Sequence, residues 1–179
     1  MNDVPVLETE RLRLRGHRLT DFDDYADMWT EPGVVRYVGG EPFSREQSWT
    51  RFLRQTGHWA QMGFGFWAIE DKSGRFLGEC GFQDLQRPID PPISGTMEAG
   101  WGLRTVAQGQ GIAHEAMSAA LHWAAVHGPS DRLTCIIHPA NAASLRLAGK
   151  LGFTRLVETE YLGRPIIILE RPRVTDRKG

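Results

Sequence analysis

The sequence predicts an α+β fold, with a central, mainly antiparallel sheet of six or seven strands flanked by about four helices. Three observations predict it. Short strand-like stretches recur along the whole chain. Two pairs of them are joined by tight-turn signals, Asp71-Lys72-Ser73-Gly74 and Leu162-Gly163-Arg164. The longer stretches between them open on capping residues and close on glycine. A length of 179 residues suits one domain, and no internal repeat divides it. We expect a single domain over residues 1–172, with residues 173–179 as a polar tail.

Taken in order, residues 7–15 read as a strand, because apolar and polar residues alternate around Leu12 and Leu14. Thr20-Asp21 caps a helix running to Met28 or Trp29. Ser44 and Gln47 form a capping box, opening a helix that reaches Gln61 and stops at Gly63. Phe64 to Glu70 and Arg75 to Phe82 form a hairpin, and the three prolines between Arg87 and Gly95 mark a loop. Met97 to Leu103 is a strand and Gly111 to His127 an alanine-rich helix. Leu133 to Ile137 is a buried strand ended by Pro139. Asn141 caps a helix to Leu151, terminated by Gly152. Val157 to Tyr161 and Ile166 to Glu170 make the last hairpin.

Composition narrows the function. Hydrophobic residues are 41% and charged residues 24%, as in ordinary globular domains. The net charge is −1, so no global attraction to nucleic acid or anionic lipid is expected. The run Ile166 to Leu169 falls far short of the ~18 apolar residues of a membrane span. Met1 to Pro5 has neither the basic nor the apolar character of a signal peptide. Cys80 and Cys135 are isolated and read as reduced thiols, which suits a cytoplasmic protein. His114-Glu115 begins a zinc-protease pattern, but Ser118 stands where its second histidine belongs, and no metal is expected. The basic run Arg11, Arg13, Arg15 and Arg18 reads as a solvated strand face.

The most informative stretch is Met97 to His114, which reads as strand, glycine-bearing turn and helix. Such a turn aims several backbone N–H groups at one point, beside the positive end of the helix dipole, and a diphosphate fits there. A P-loop is excluded because no Gly-Lys-Ser/Thr ends the turn. A dinucleotide fingerprint lacks its third glycine, His114 standing in its place. A third pattern, Gln/Arg-x-x-Gly-x-Gly/Ala, is matched in full by Gln108-Gly109-Gln110-Gly111-Ile112-Ala113.

Through that motif the chain resembles the GCN5-related N-acetyltransferases, the GNAT superfamily, and within it the branch of the ribosomal-protein N-terminal acetyltransferases. Leu7 to Arg15 resembles that branch's opening strand, and Phe76 to Phe82 its third strand. Asn141-x-x-Ser144, followed by Lys150-Leu151-Gly152-Phe153, resembles its second cofactor motif. The resemblance implies the GNAT fold, with strands splayed at an acetyl-CoA site, and acetyl-CoA as acetyl donor. It implies that the pantetheine arm lies along Trp101, Gly102 and Leu103. The diphosphate would sit on backbone N–H groups from Gly109, Gln110, Gly111, Ile112, Ala113 and His114, with Asn141 bonding the arm. A bulge near Gly100 to Gly102 would open the slot.

Acetyl transfer needs a neutral amine, a donor for the oxyanion and a proton for the thiolate. An α-amine, with a pKa of about 7.7–8.0, needs far less help than a lysine amine near 10.4. Glu98 and Glu160 are the candidate bases; Glu160-Tyr161-Leu162 resembles a segment of the ribosomal branch that carries one. Ser144 matches that branch's proposed acid, and Tyr161 is the alternative. Trp29, Tyr37 and Trp59 fall in the region that shapes the acceptor pocket in the family. The acid–base pair of another GNAT branch is absent, since Ile136 and Ala148 stand at its positions. The expected function is direct transfer of acetyl to a protein N-terminus or a small amine. The other reading is a catalytically silent CoA-binding sensor. Low acidity argues against a polycationic acceptor, and the hairpin-rich C-terminus leaves a homodimer open.

Overall fold

The computed structural model describes residues 4–172, so the expected tail at 173–179 lies outside the described residues. The chain opens with β1 (Leu7–Glu8) and β2 (Leu12–Arg15), followed by α1 (Phe22–Met28), α2 (Pro32–Val35) and α3 (Arg45–Met62). Next come β3 (Phe66–Asp71), β4 (Phe76–Gln83), β5 (Met97–Leu103) and α4 (Ile112–His127). It ends with β6 (Arg132–Ile137), α5 (Ala142–Lys150), β7 (Thr154–Tyr161) and β8 (Arg164–Pro172). All eight strands form one sheet, in the order β1-β2-β3-β4-β5-β6-β8-β7. Every pairing is antiparallel except β5 with β6.

Two counts differ from expectation. The opening stretch is two strands, because the chain turns at Thr9, whose N–H donates to the Leu12 carbonyl at 3.0 Å. That turn brings Leu7 opposite Leu14. The fifth helix is the single turn α2, started by Pro32 at its first position. The capping box at Ser44 forms as expected, with Ser44 Oγ accepting from the Gln47 N–H at 3.1 Å.

Alternation assigns the sheet's faces. Leu12, Leu14, Trp67, Ile69, Cys80, Phe82, Met97 and Ala99 point into the main core, together with Met117, Ala120 and Ala124 of α4. Each fully buried Leu, Ile or Met there stabilises by about 1.5–3 kcal/mol. Phe22, Tyr25 and Met28 of α1, Trp29 just after it and Phe52 of α3 cover the opposite face through Ala68 and Phe76.

This second face also overturns the reading of the basic run. Arg11 and Arg13 are exposed, but Arg15 is 4% exposed. Its guanidinium grips both Asp21 oxygens at 2.7 and 2.8 Å and Glu70 at 2.7 Å. Burial pushes the Asp21 carboxyl up, but Arg15 and the Arg18 N–H outweigh it and hold it below the usual range.

Candidate active site

The parallel pair β5–β6 is short. Met97 pairs with Leu133 and Glu98 with Thr134, and then the strands part. Strand β5 continues along β4 as far as Leu103, while β6 continues along β8 as far as Ile137. The expected bulge is not the cause, because the β4–β5 register runs unbroken from Gly78↔Leu103 to Gln83↔Glu98. The two strands diverge because each follows a different neighbour. The gap opens into a cavity of about 790 Å³.

One wall of the cavity is the loop into α4. Gly109 (φ +72°) and Gly111 (φ +77°) are both left-handed, a conformation glycine adopts without strain. A Cβ at Gly109 would meet nothing within 4 Å, so the backbone there lies open to a ligand. Beyond Gly111 the first N–H groups of α4 have no intrahelical partner, and Ile112, Ala113 and His114 line the cavity. The loop is fastened from outside. Arg11 donates to the Gln110 carbonyl at 2.9 Å and pairs with Glu115 at 2.6 Å, and Thr9 donates to the same carboxylate at 2.6 Å. Gln108 turns its amide back to the Leu103 carbonyl at 3.0 Å. Gln110 folds onto the Val106 carbonyl at 2.7 Å and does not line the cavity, which sets it apart from the other expected cofactor residues.

The opposite wall is the start of α5. Asn141 Oδ1 caps the helix by accepting from the Ser144 N–H at 3.1 Å, which leaves its NH₂ group to donate. Ser144 Oγ accepts from the Trp101 indole N–H at 3.2 Å. The serine hydroxyl proton is therefore free to donate into the cavity. Trp101, Gly102 and Leu103 form the floor between the two walls.

The four expected catalytic residues separate. Glu98, Ser144 and Tyr161 line the cavity. Glu160 does not, because it is the exposed neighbour of Tyr161 on β7 and points to the other face. Glu98 is 4% exposed and is the only carboxylate among the lining residues. It accepts from Arg87 at 2.8 and 2.9 Å and from Gln83 at 3.0 Å. The Arg87 guanidinium also stands 4.9 Å over the Tyr161 ring. Trp29 and Tyr37 line the cavity as expected. Trp59 does not. It packs edge-on against Trp67 and Trp123 at 4.7 and 5.4 Å and donates to the Phe66 carbonyl at 2.9 Å.

Sequence reasoning missed the polar layer beneath this floor. Glu79, opposite Gly102 on β4, has no exposed surface. Tyr25, Arg51, Gln55 and His17 surround it at 3.2–3.4 Å. Burial pushes its carboxyl up, but the His17 contact and the Arg51 charge outweigh it and the net direction is down. The available signal was Ser48 and Gln55, two polar residues on the buried stripe of α3 that also carries Phe52 and Trp59. Burial pushes both cysteine thiols up, helped by the charge of Glu79 at Cys80 and of Glu98 at Cys135, so neither is a ready nucleophile. Among the described residues no group of three or more His, Cys, Asp and Glu could hold a metal, and no helix is long and apolar enough to cross a membrane.

Known proteins share this arrangement. Residues 11–154 match the model of the acetyltransferase (GNAT) domain. The chain is 30% identical to YkkB of Bacillus subtilis over 178 residues, 96% of this chain and 98% of the relative. It is 33% identical to a GnaT-family acetyltransferase from Bordetella pertussis, with a TM-score of 0.82 over 93% of this chain and 99% of that one. RimL, a ribosomal L7/L12 α-N-protein acetyltransferase solved in complex with coenzyme A, shares the fold at 17% identity, with a TM-score of 0.76 over 94% of this chain and 98% of that one. With the family model spanning most of its length and the splayed strands, glycine turn and capping asparagine all in place, the chain belongs to the GNAT acetyltransferases.

Proposed function

We propose that the protein is an acetyl-CoA-dependent N-acetyltransferase that passes acetyl directly to a primary amine within a ternary complex. The observation that carries this reading is the parted β5–β6 pair, whose gap leads straight to the open N–H groups at the start of α4. RimL binds coenzyme A on the same fold. The residues present suit such a donor. The Gly109–His114 backbone would hold the diphosphate. The free NH₂ of Asn141 would bond an amide of the pantetheine arm, and the β5 edge would run beside that arm as a strand does.

The chemistry then falls to a few side chains. The amine attacks the thioester carbon from the Gly100–Gly102 face of β5, where the absence of side chains lets the rings of Phe66 and Trp29 pack close against the strand. A backbone N–H of Trp101 to Leu103 stabilises the oxyanion. Glu98 receives the amine's proton through a water molecule, on Oε2, which carries one protein hydrogen bond against two on Oε1. An α-amine, already partly neutral at pH 7, asks less of this carboxylate than a lysine amine does. Ser144 gives a hydrogen bond to the sulfur as the tetrahedral intermediate collapses and the C–S bond breaks, and the departing thiolate takes its proton from water. Tyr161 lies across the cavity as the alternative donor. Two buried, unpaired cysteines suit a reducing cytoplasm. Nothing in the structure favours the silent sensor.

The test is thiol release from acetyl-CoA, followed with a thiol-reactive dye, over pools of peptides with free N-termini, amino acids, polyamines and aminoglycosides. Release that depends on one pool and falls in Ser144→Ala supports the reading. Absence of release from every pool, with acetyl-CoA bound, refutes it.

A further inference from the structure

The cavity is cationic. Arg36, Arg51, Arg87 and Arg164 line it from the end of α2, α3, the β4–β5 loop and the β7–β8 hairpin, with Arg146 and Lys150 from α5, against Glu98 alone. Arg87 is matched within the cavity by its two bonds to Glu98, and Arg51 has its carboxylate partner, Glu79, beneath the cavity floor. Arg51 gives its Nε to Glu79 at 3.4 Å, and its guanidinium lies 4.2 Å over the Trp29 ring. Its two terminal nitrogens make no hydrogen bond among the described residues, and its side chain keeps 19% exposure beside the cavity. Trp29 reaches to 3.4 Å from where a Cβ of Gly102 would stand, so Arg51 sits one ring away from the reacting face of β5. Arg36 and Arg164 form no ion pair among the described residues. One turn beyond Arg51, the Nε and NH2 atoms of Arg54 are buried with no partner. Burial first, and the charges of Arg51 and Arg87 after it, hold the Arg54 guanidinium below its ordinary value.

We infer that the acceptor amine carries a carboxylate, which docks on the free fork of Arg51 with Arg164 closing from the hairpin. The inference rests on the acetyltransferase reading above and names its substrate class. A guanidinium with two free parallel N–H groups matches a carboxylate. The surplus positive charge attracts an anion and repels a polyamine or an aminoglycoside. Arg54 adds to the field from behind without touching the acceptor.

Matched pairs test it, each pair being an amino acid and its carboxamide, or a peptide amide with Glu or Lys at its second position. The carboxylate member should show kcat/KM higher by about tenfold or more, the scale of one charge-assisted pair. Binding of N-acetyl amino acids against their amides, titrated calorimetrically in the presence of CoA, gives a readout that needs no turnover. The carboxylate form should bind about tenfold tighter, Arg51→Gln and Arg164→Gln should erase the difference, and Arg51→Lys should keep part of it. Arg164→Gln lies outside the buried Glu79 layer, so it reports even if Arg51→Gln does not fold. Equal binding of acid and amide, no binding of either, or an unchanged preference in Arg164→Gln together with a folded Arg51→Gln, overturns the inference. Release that favours neutral or cationic amines overturns it and leaves the acetyltransferase reading standing. Absence of release with every amine refutes that reading, while the calorimetry still decides this one.

Discussion

Replacing Glu98 by Gln separates the two carboxylates that the sequence alone leaves tied. Glu98 and Arg87 keep 5% and 15% side-chain exposure, so their pair is nearly dry. Breaking such a pair costs about 3–5 kcal/mol, because a buried guanidinium loses its counter-charge. The amide oxygen of Gln still accepts one hydrogen bond from a charged donor, which returns about 1.5–3 kcal/mol. The net loss is about 2 kcal/mol, and Tm should fall by about 4–8 °C in a chain of this size. The rate should fall further than stability, by about 10²–10⁴ in kcat/KM, the usual weight of an acid–base group. Thermal melting and dye-detected CoA release across pH measure the two effects on one preparation. Glu160→Gln is the comparison: the residue is exposed and off the cavity, so stability should stay within about 0.5 kcal/mol and the rate should not change. Glu98→Gln turning over within about threefold of the wild type would refute the base assignment, since a lost general base costs at least tenfold more. A rate collapse in Glu160→Gln would refute the geometry.

Three further outcomes follow from the same structure. Gly109→Ala places a side chain at φ +72° in open space, so the fold should lose only about 1–2 kcal/mol while acetyl-CoA binding, read by tryptophan fluorescence, weakens about tenfold. Glu79 and Asp21 both sit below their ordinary values of 4.5 and 3.8, so the folded chain resists protons that the unfolded chain accepts. Stability from these groups is full above those values and drains as pH falls below them, and urea midpoints against pH should show a shallower acid slope in Glu79→Gln. Cys80 and Cys135 are both fully buried, so a thiol-reactive dye should label neither until denaturant is added, and native labelling at the full-turnover rate would count against the direct mechanism.

The local elements were readable because each carries its own signal. The Ser44 box, the glycines at 109 and 111, the Asn141 cap and the strand Met97–Leu103 are all set within a few residues of chain. The motif that points to a diphosphate is local in the same way. The single β1–β2 stretch was misread because alternation continues across the turn at Thr9, and a turn without glycine or proline leaves little trace. What needed the tertiary structure was every decision made between distant segments. Glu98 and Glu160 look alike in sequence, and only the pairing of β7 with β8 turns one outward while β4 and the Arg87 loop bury the other. Arg15 belongs to an alternating basic run, yet α1 and β3 bring Asp21 and Glu70 onto it, and a charge with two buried partners need not face water. The sequence by itself determined the family and the local elements of the fold, because the motifs and caps that signal them rest on short-range backbone geometry. The tertiary structure decided which carboxylate lines the cavity and which cations line it with it, because Glu98, Arg51, Arg87 and Arg164 come from four separate segments that only the fold brings together.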